Sequence, residues 1–187
     1  MRPKHILPLA IPLILACIGF YAASDGNPAT APAATEEGVA VFFSPKGGCT
    51  EAVVDALGKA KPTILVQAYS FTSAPNAKAL VDAHKRGVKV TVVLDKSQET
   101  EKYSSATFVA NVGIPVFIDA KHKIAHNKII LIDDSTIITG SFNSTKGAEE
   151  DNAENLLVIE GKTNLMAAHQ KNFKEHLEHS HGYERKQ

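Results

Sequence analysis

A chain of 187 residues, 44% of them hydrophobic, is long enough for one domain with a buried core. Its 20 basic and 20 acidic side chains cancel to a formal net charge of zero, which excludes a strongly basic nucleic-acid-coating domain and leaves any polyanion binding to local charge. Of the two cysteines, Cys17 falls in an N-terminal apolar segment, and Cys49 alone can build neither a structural disulfide nor a cysteine-based zinc site.

Arg2, Lys4 and His5 precede an apolar run from Ile6 to Tyr21, which Pro8 and Pro12 interrupt and the small residues Ala22-Ala23-Ser24 follow. Residues 1–24 therefore read as a secretory signal peptide, with an N-terminal membrane anchor as the alternative. Ile14-Leu15-Ala16-Cys17 loosely resembles a lipoprotein processing site, which would attach the chain to a membrane through Cys17. The expected location in each case is periplasmic or secreted. Removing this segment leaves 18 basic residues against 20 acidic, because Arg2 and Lys4 go with it. Residues 25–37, rich in Ala, Pro, Thr and Gly, read as a flexible linker, and 38–187 as a single folded domain.

Within that domain, Val39 to Phe43 is a short apolar strand ending at Pro45 and Gly47-Gly48. Ala52, Val53, Ala56 and Leu57 mark a helical stripe over 50–60, with Thr50 as its N-cap. Thr63 to Tyr69 is a β-branched strand. Leu80, Val81 and His84 give helical spacing over 76–86, with Gly87 as C-cap. Val88 to Leu94 is a strand, 100–112 a weaker helix stopped by Gly113, and Ile114 to Ile118 another strand. This β-α-β-α-β-α-β alternation predicts a mixed, largely parallel sheet flanked by helices on both faces, an α/β fold. Two strands joined by an Asp133-Asp134-Ser135 turn follow, then a strand over 155–160 and a helix over 163–179. Residues 181–187 read as a frayed polar tail.

Chemistry concentrates between His126 and Asn143. His126 and Lys128 stand two apart at the start of a β-branched run, so their side chains share a face. A short turn folds the next strand back antiparallel and brings Gly140-Ser141-Phe142-Asn143 beside them. An imidazole, an ammonium, a hydroxyl and an amide around one point suit a phosphate group. His169, His176 and His179 share helical spacing and His181 follows. No cysteine or carboxylate set completes a ligand pattern for them, so they read as a solvated helix face.

The spacing from His126 to Asn143 resembles the phospholipase D superfamily signature H-x-K-x4-D-x6-G-S-x-N at every position. Gln67-Ala68-Tyr69-Ser70-Phe71-Thr72, Arg86-Gly87-Val88 and Asn152-Ala153-Glu154-Asn155 extend the likeness to the small secreted bacterial endonucleases of that superfamily, over roughly 39–180. The resemblance implies an α-β-α sandwich of the phospholipase D/nuclease type. It implies hydrolysis of phosphodiester bonds in DNA, with RNA also open, through a phosphohistidine on His126. It assigns Lys128, Asp133 and Glu154 to the catalytic set and Lys128, Ser141 and Asn143 to the substrate phosphate, with Asp133 structural or electrostatic in role. It implies no metal and no cofactor. One motif copy implies a homodimer whose two motifs share a site. A phospholipase D or phosphatidyl transferase acting on phospholipids is the alternative.

Overall fold

The computed structural model describes residues 31–184, so the predicted signal peptide or anchor, 1–24, lies outside the described residues. The strands are β1 (Ala34–Glu36), β2 (Val39–Ser44), β3 (Thr63–Ala68), β4 (Lys89–Asp95), β5 (Val116–Asp119), β6 (Lys128–Ile132), β7 (Thr136–Gly140), β8 (Glu154–Glu160) and β9 (His181–Gly182). The helices are α1 (Cys49–Lys59), α2 (Ala74–Lys85), α3 (Ala106–Asn111), α4 (Lys146–Glu150) and α5 (Thr163–Glu178). All the strands join one sheet in the order β1-β2-β8-β7-β6-β3-β4-β5-β9.

Strand alternation sends successive side chains to opposite faces. Val90, Val92 and Leu94 of β4 pack with Val53 and Leu57 of α1, Leu80 of α2 and Val109 of α3. Val93 points the other way, into a smaller cluster with Leu131, Ile137 and the α5 residues Met166 and Phe173. Helices thus cover both faces of a single α/β domain, as the pattern of elements predicts.

The sheet is mixed but not largely parallel. Only β3–β4 and β4–β5 run parallel, while the other six pairings are antiparallel. The alternation misleads because β2 does not lie beside β3. The antiparallel strands β6, β7 and β8 fill the gap between them, so the connection through α1 passes three strands instead of none. Three local expectations also change. Ala34–Glu36, in the predicted linker, pairs as the exposed edge strand β1, a backbone contact that leaves no hydrophobic pattern. Helix α3 is shorter than 100–112, since Asp95 caps a 3-10 turn at Lys96–Glu99 instead. The predicted frayed tail includes β9, whose Gly182 pairs with Phe117.

Thr50 does not cap α1. The N-cap is Gly48, at φ 83°, and the carboxylate of Glu149 accepts from Gly48 N–H (3.2 Å) and Thr50 N–H (2.7 Å). A carboxylate at a helix N-terminus satisfies orphan donors and opposes the helix dipole. The acid-rich segment after β7 is thereby partly spent on structure. Cys49, beside this cap, is wholly buried, and burial, then Glu149, Glu51 and Glu154, pushes its thiol up to about 12, so it is inert at neutral pH.

The candidate site residues gather at one end of the inner strands of the sheet. Ser44 pairs with Glu154, Ala68 with Lys128 and Gly140 with Leu156, so β2, β3 and β7 end where β6 and β8 begin.

Candidate active site

The β6–β7 hairpin forms because both strands are β-branched and its turn tolerates positive φ. Asp133 (φ 53°) and Asp134 (φ 56°) take that conformation, and Ser135 N–H donates to Ile132 C=O at 3.0 Å. From there Ile129 pairs with Thr139, and one step further Gly140 comes beside Lys128.

His126 is exposed, just before β6, and Tyr69 at the end of β3 holds it. Tyr69 N–H donates to Asn127 C=O (2.9 Å), and the Tyr69 and His126 rings lie 4.6 Å apart at 55°. Lys128 Nζ donates to His126 C=O at 2.8 Å and sits 5.0 Å from the Tyr69 ring centroid. His126 and Lys128 therefore meet at the same aromatic face. Such a cation–ring contact contributes on the order of 0.5–1 kcal/mol at an exposed site. Desolvation pulls the Lys128 ammonium below its ordinary range, while the Glu154 carboxylate opposes that shift. Tyr69 is thus a positioning residue. From sequence alone its half-buried ring reads as core, whereas Phe71, 1% exposed, is core.

Ser141 and Asn143 follow β7. Asn155 C=O accepts from the N–H groups of Ser141 and Phe142, both at 3.1 Å, and Asn155 Oδ1 accepts a second bond from Ser141 N–H. Ser141 Oγ accepts from Asn155 N–H at 3.1 Å, which leaves the hydroxyl proton free to donate outward. Asn143 is half-buried, and its Oδ1 has no partner among the described residues. Beneath Lys128 a small cavity is lined by Gln67, Ser144, Phe142 and Leu156. Gln67 Nε2 is also buried without a partner.

Glu154 starts β8, and its Oε1 accepts from Asn152 Nδ2 at 3.4 Å. It lies near enough to Lys128 to act on its charge. No hydrogen bond between Glu154 and His126 is among those made by the described residues.

Asp133 is not in the reaction site. It stands five residues beyond Lys128, roughly 16 Å along the strand at the opposite end of β6. Its Oδ2 accepts from Lys61 N–H (2.8 Å) and its Oδ1 from Thr63 N–H (3.1 Å), tying the hairpin turn to the start of β3. These bonds give it a structural part in the turn, the role the resemblance implies for it. Asp133→Ala should cost about 2–3 kcal/mol, from two lost acceptors and a strained positive φ. Urea unfolding would show the loss, and turnover per folded molecule should stay unchanged.

The C-terminal histidines are not one solvated helix face. His176 and His179 turn inward and meet His122 at the buried carboxylate of Asp119. Spacing along α5 conceals this, since the carboxylate comes from the end of β5, 57 residues earlier. His181 instead approaches Glu99 Oε1 at 3.3 Å.

Comparison with known proteins agrees with this geometry. Residues 53–177 match the family model described as "Cardiolipin synthase, PLD-like domain". A Rickettsia typhi protein named Phospholipase D is 42% identical over 129 residues, which is 69% of this chain and 63% of that protein. The chain thus spans less than two thirds of that relative's length. Nuc from Salmonella typhimurium, a phospholipase D family member of known crystal structure, superposes with a TM-score of 0.76 at 39% identity, over 79% of this chain and 98% of Nuc. NucT from Helicobacter pylori shares the fold at a TM-score of 0.70 and 24% identity, over 78% of this chain and 98% of NucT. The likeness extends well beyond the residues that carry the chemistry and into the strands that position them, and this protein belongs to the phospholipase D superfamily.

Proposed function

We propose that the chain is an endonuclease that hydrolyses phosphodiester bonds of DNA, and of RNA where it can reach it, with little sequence preference. The observation that carries this reading is the open end of the inner strands, where His126, Lys128 and Ser141 stand exposed or half-buried with groups suited to a phosphate. The groups gathered there suit a phosphate, so recognition of the backbone is the proposed mode. The likeness to Nuc, over 79% of this chain and 98% of Nuc, supports a catalytic domain of this kind.

In the proposed reaction a ring nitrogen of His126 attacks phosphorus and forms an N–P bond as the P–O bond to the leaving oxygen breaks. A second imidazole gives that oxygen its proton, then takes one from the water that cleaves the N–P bond. Among the described residues no other histidine of this chain is placed to do so. His122, His176 and His179 are gathered at Asp119, His181 is beside Glu99, His84 lies against Gly113, and His169 is on α5 next to Gln170, which bonds Asp134 at the far end of β6. His126 of the partner subunit is the proposed acid and base, in a homodimer. Lys128, Ser141 and Asn143 hold the phosphoryl oxygens, with charge supplied by lysine and imidazolium. Glu154 moves onto His126 when the site is completed. Residues 1–24 deliver the protein to the periplasm or beyond, with attachment to the membrane where that segment stays in place.

The second reading is a phospholipase D or phosphatidyl transferase, which the Rickettsia typhi relative's name favours. The purified protein should be offered supercoiled plasmid, single-stranded DNA, RNA and phosphatidylcholine vesicles. Nicking and fragmentation of nucleic acid without choline release is expected. Choline release with intact plasmid would establish the second reading instead.

A further inference from the structure

Asp119 closes β5 at 0% exposure, and a carboxylate is left so deep in a fold only with strong partners. Oδ1 accepts from the backbone N–H groups of Lys121 (3.1 Å) and His122 (3.5 Å), which turns the chain back over the strand end. Oδ2 faces three imidazoles: His176 Nδ1 at 2.6 Å, His122 Nδ1 at 3.0 Å and His179 Nε2 at 3.2 Å. Burial opposes ionisation of Asp119, but the bonds from His176 and His122 and the nearness of the His179 ring outweigh it and hold the carboxyl well below the usual range.

Hydrogen bonding does not account for the whole cluster. His179 Nε2 is buried and close to Oδ2, yet it is not aligned to donate and has no hydrogen-bond partner among the described residues. A buried ring nitrogen left over beside an anion calls for an explanation. One ligand atom from each of Asp119, His122, His176 and His179 lies within 4.8 Å of all the others. Metal bonds of Zn²⁺ length set neighbouring ligands about 3.4 Å apart in a tetrahedron. That separation falls between the 2.6 Å and 4.8 Å found here.

The geometry points to Asp119, His122, His176 and His179 as the four ligands of one divalent transition-metal ion, Zn²⁺ by donor preference, which clasps α5 to the loop bearing His126. Three imidazoles and one carboxylate suit Zn²⁺, whereas Ca²⁺ and Mg²⁺ prefer all-oxygen sets. Four protein ligands close the coordination sphere, as structural sites do. A groove lined by Asn172, Glu175 and Glu178 opens on the cluster, with Lys121 as the opposing charge. The ion would sit at β5, three strand positions from β6 and roughly 14 Å away, too far to touch a phosphate on His126.

What the ion would hold is the path of the chain. His122 lies four residues before His126, in the loop between β5 and β6. Lys96 Nζ already donates to His122 C=O (3.0 Å), and Asp95 Oδ2 accepts from Ala125 N–H (2.7 Å). On the other side, Tyr183 N–H donates to Val116 C=O (2.9 Å), so the chain leaving α5 is bound to the same strand.

The full chain, stripped with chelator and dialysed, should take up one equivalent of Co²⁺ with the intense visible bands of a tetrahedral site, and Zn²⁺ should displace it. Zn²⁺ should also raise Tm. A His176→Ala/His179→Ala double variant should lose at least about 100-fold in affinity, together with the Tm rise. His169→Ala and His181→Ala should keep both. If the double variant fails to fold, the Co²⁺ spectrum and stoichiometry of the wild-type chain decide. Uptake that does not saturate at one equivalent, an octahedral spectrum, or a Tm rise surviving in the double variant would overturn the proposal. The cluster would then be a hydrogen-bonded His–Asp group alone.

Discussion

Replacing His126 by alanine should lower phosphodiester turnover about 10,000-fold or more while leaving Tm unchanged. The side chain is exposed, and the only ring contact it makes among the described residues is with Tyr69, so little packing is lost. The chemistry loses far more, because removing a nucleophile removes the two-step route itself. The same variant tests the shared site. If each site needs one imidazole from each of two subunits, randomly reassembled equimolar wild-type and His126→Ala chains should retain about a quarter of wild-type activity. Independent sites would retain about half. Steady-state rates on plasmid, measured after denaturing and refolding the mixture, separate the two, and sedimentation of the wild-type chain must show a dimer.

Gly140→Ala should be among the most damaging single-methyl changes in the β6–β7 hairpin. Gly140 sits at φ 148°, which side-chain-bearing residues rarely adopt. A Cβ there would meet Asn155 C=O at 2.2 Å and Asn155 Oδ1 at 2.9 Å. Those oxygens hold the Ser141 and Phe142 N–H groups, so relief of the clash must shift the segment that carries Ser141 and Asn143. A cost of about 3–4 kcal/mol is expected, toward the upper end for point substitutions. Turnover per folded molecule should fall as well, unlike in Asp133→Ala. Chemical unfolding and active-site-normalised rates check both parts. A destabilised variant with normal turnover would show that the placement of Ser141 does not matter.

The hairpin was legible because it depends on short-range pattern. Period-2 alternation, an Asp-Asp turn and fixed spacing put Gly140 beside Lys128, and the register agrees. Long-range order was not legible. Nothing near β2 says that β8 will be its neighbour instead of β3, so the parallel share of the sheet was overestimated. The cap of α1 comes from Glu149, 99 residues away, which no local capping rule can find. The histidines of α5 looked solvated because their carboxylate lies on another element. A buried Asp at the end of a strand, followed three residues later by His122, was the one local signal available.

The turn at Asp133-Asp134 gives the family spacing a mechanical meaning. Lys128 and Gly140 face each other only because equal lengths of strand run out to that turn and back. Adding or deleting one residue in either arm would turn alternate side chains to the opposite face of the sheet. The intervals of four and six residues in the signature therefore act as a ruler. They measure out a hairpin whose far end does no chemistry, and they leave the intervening side chains free to vary as long as the count holds.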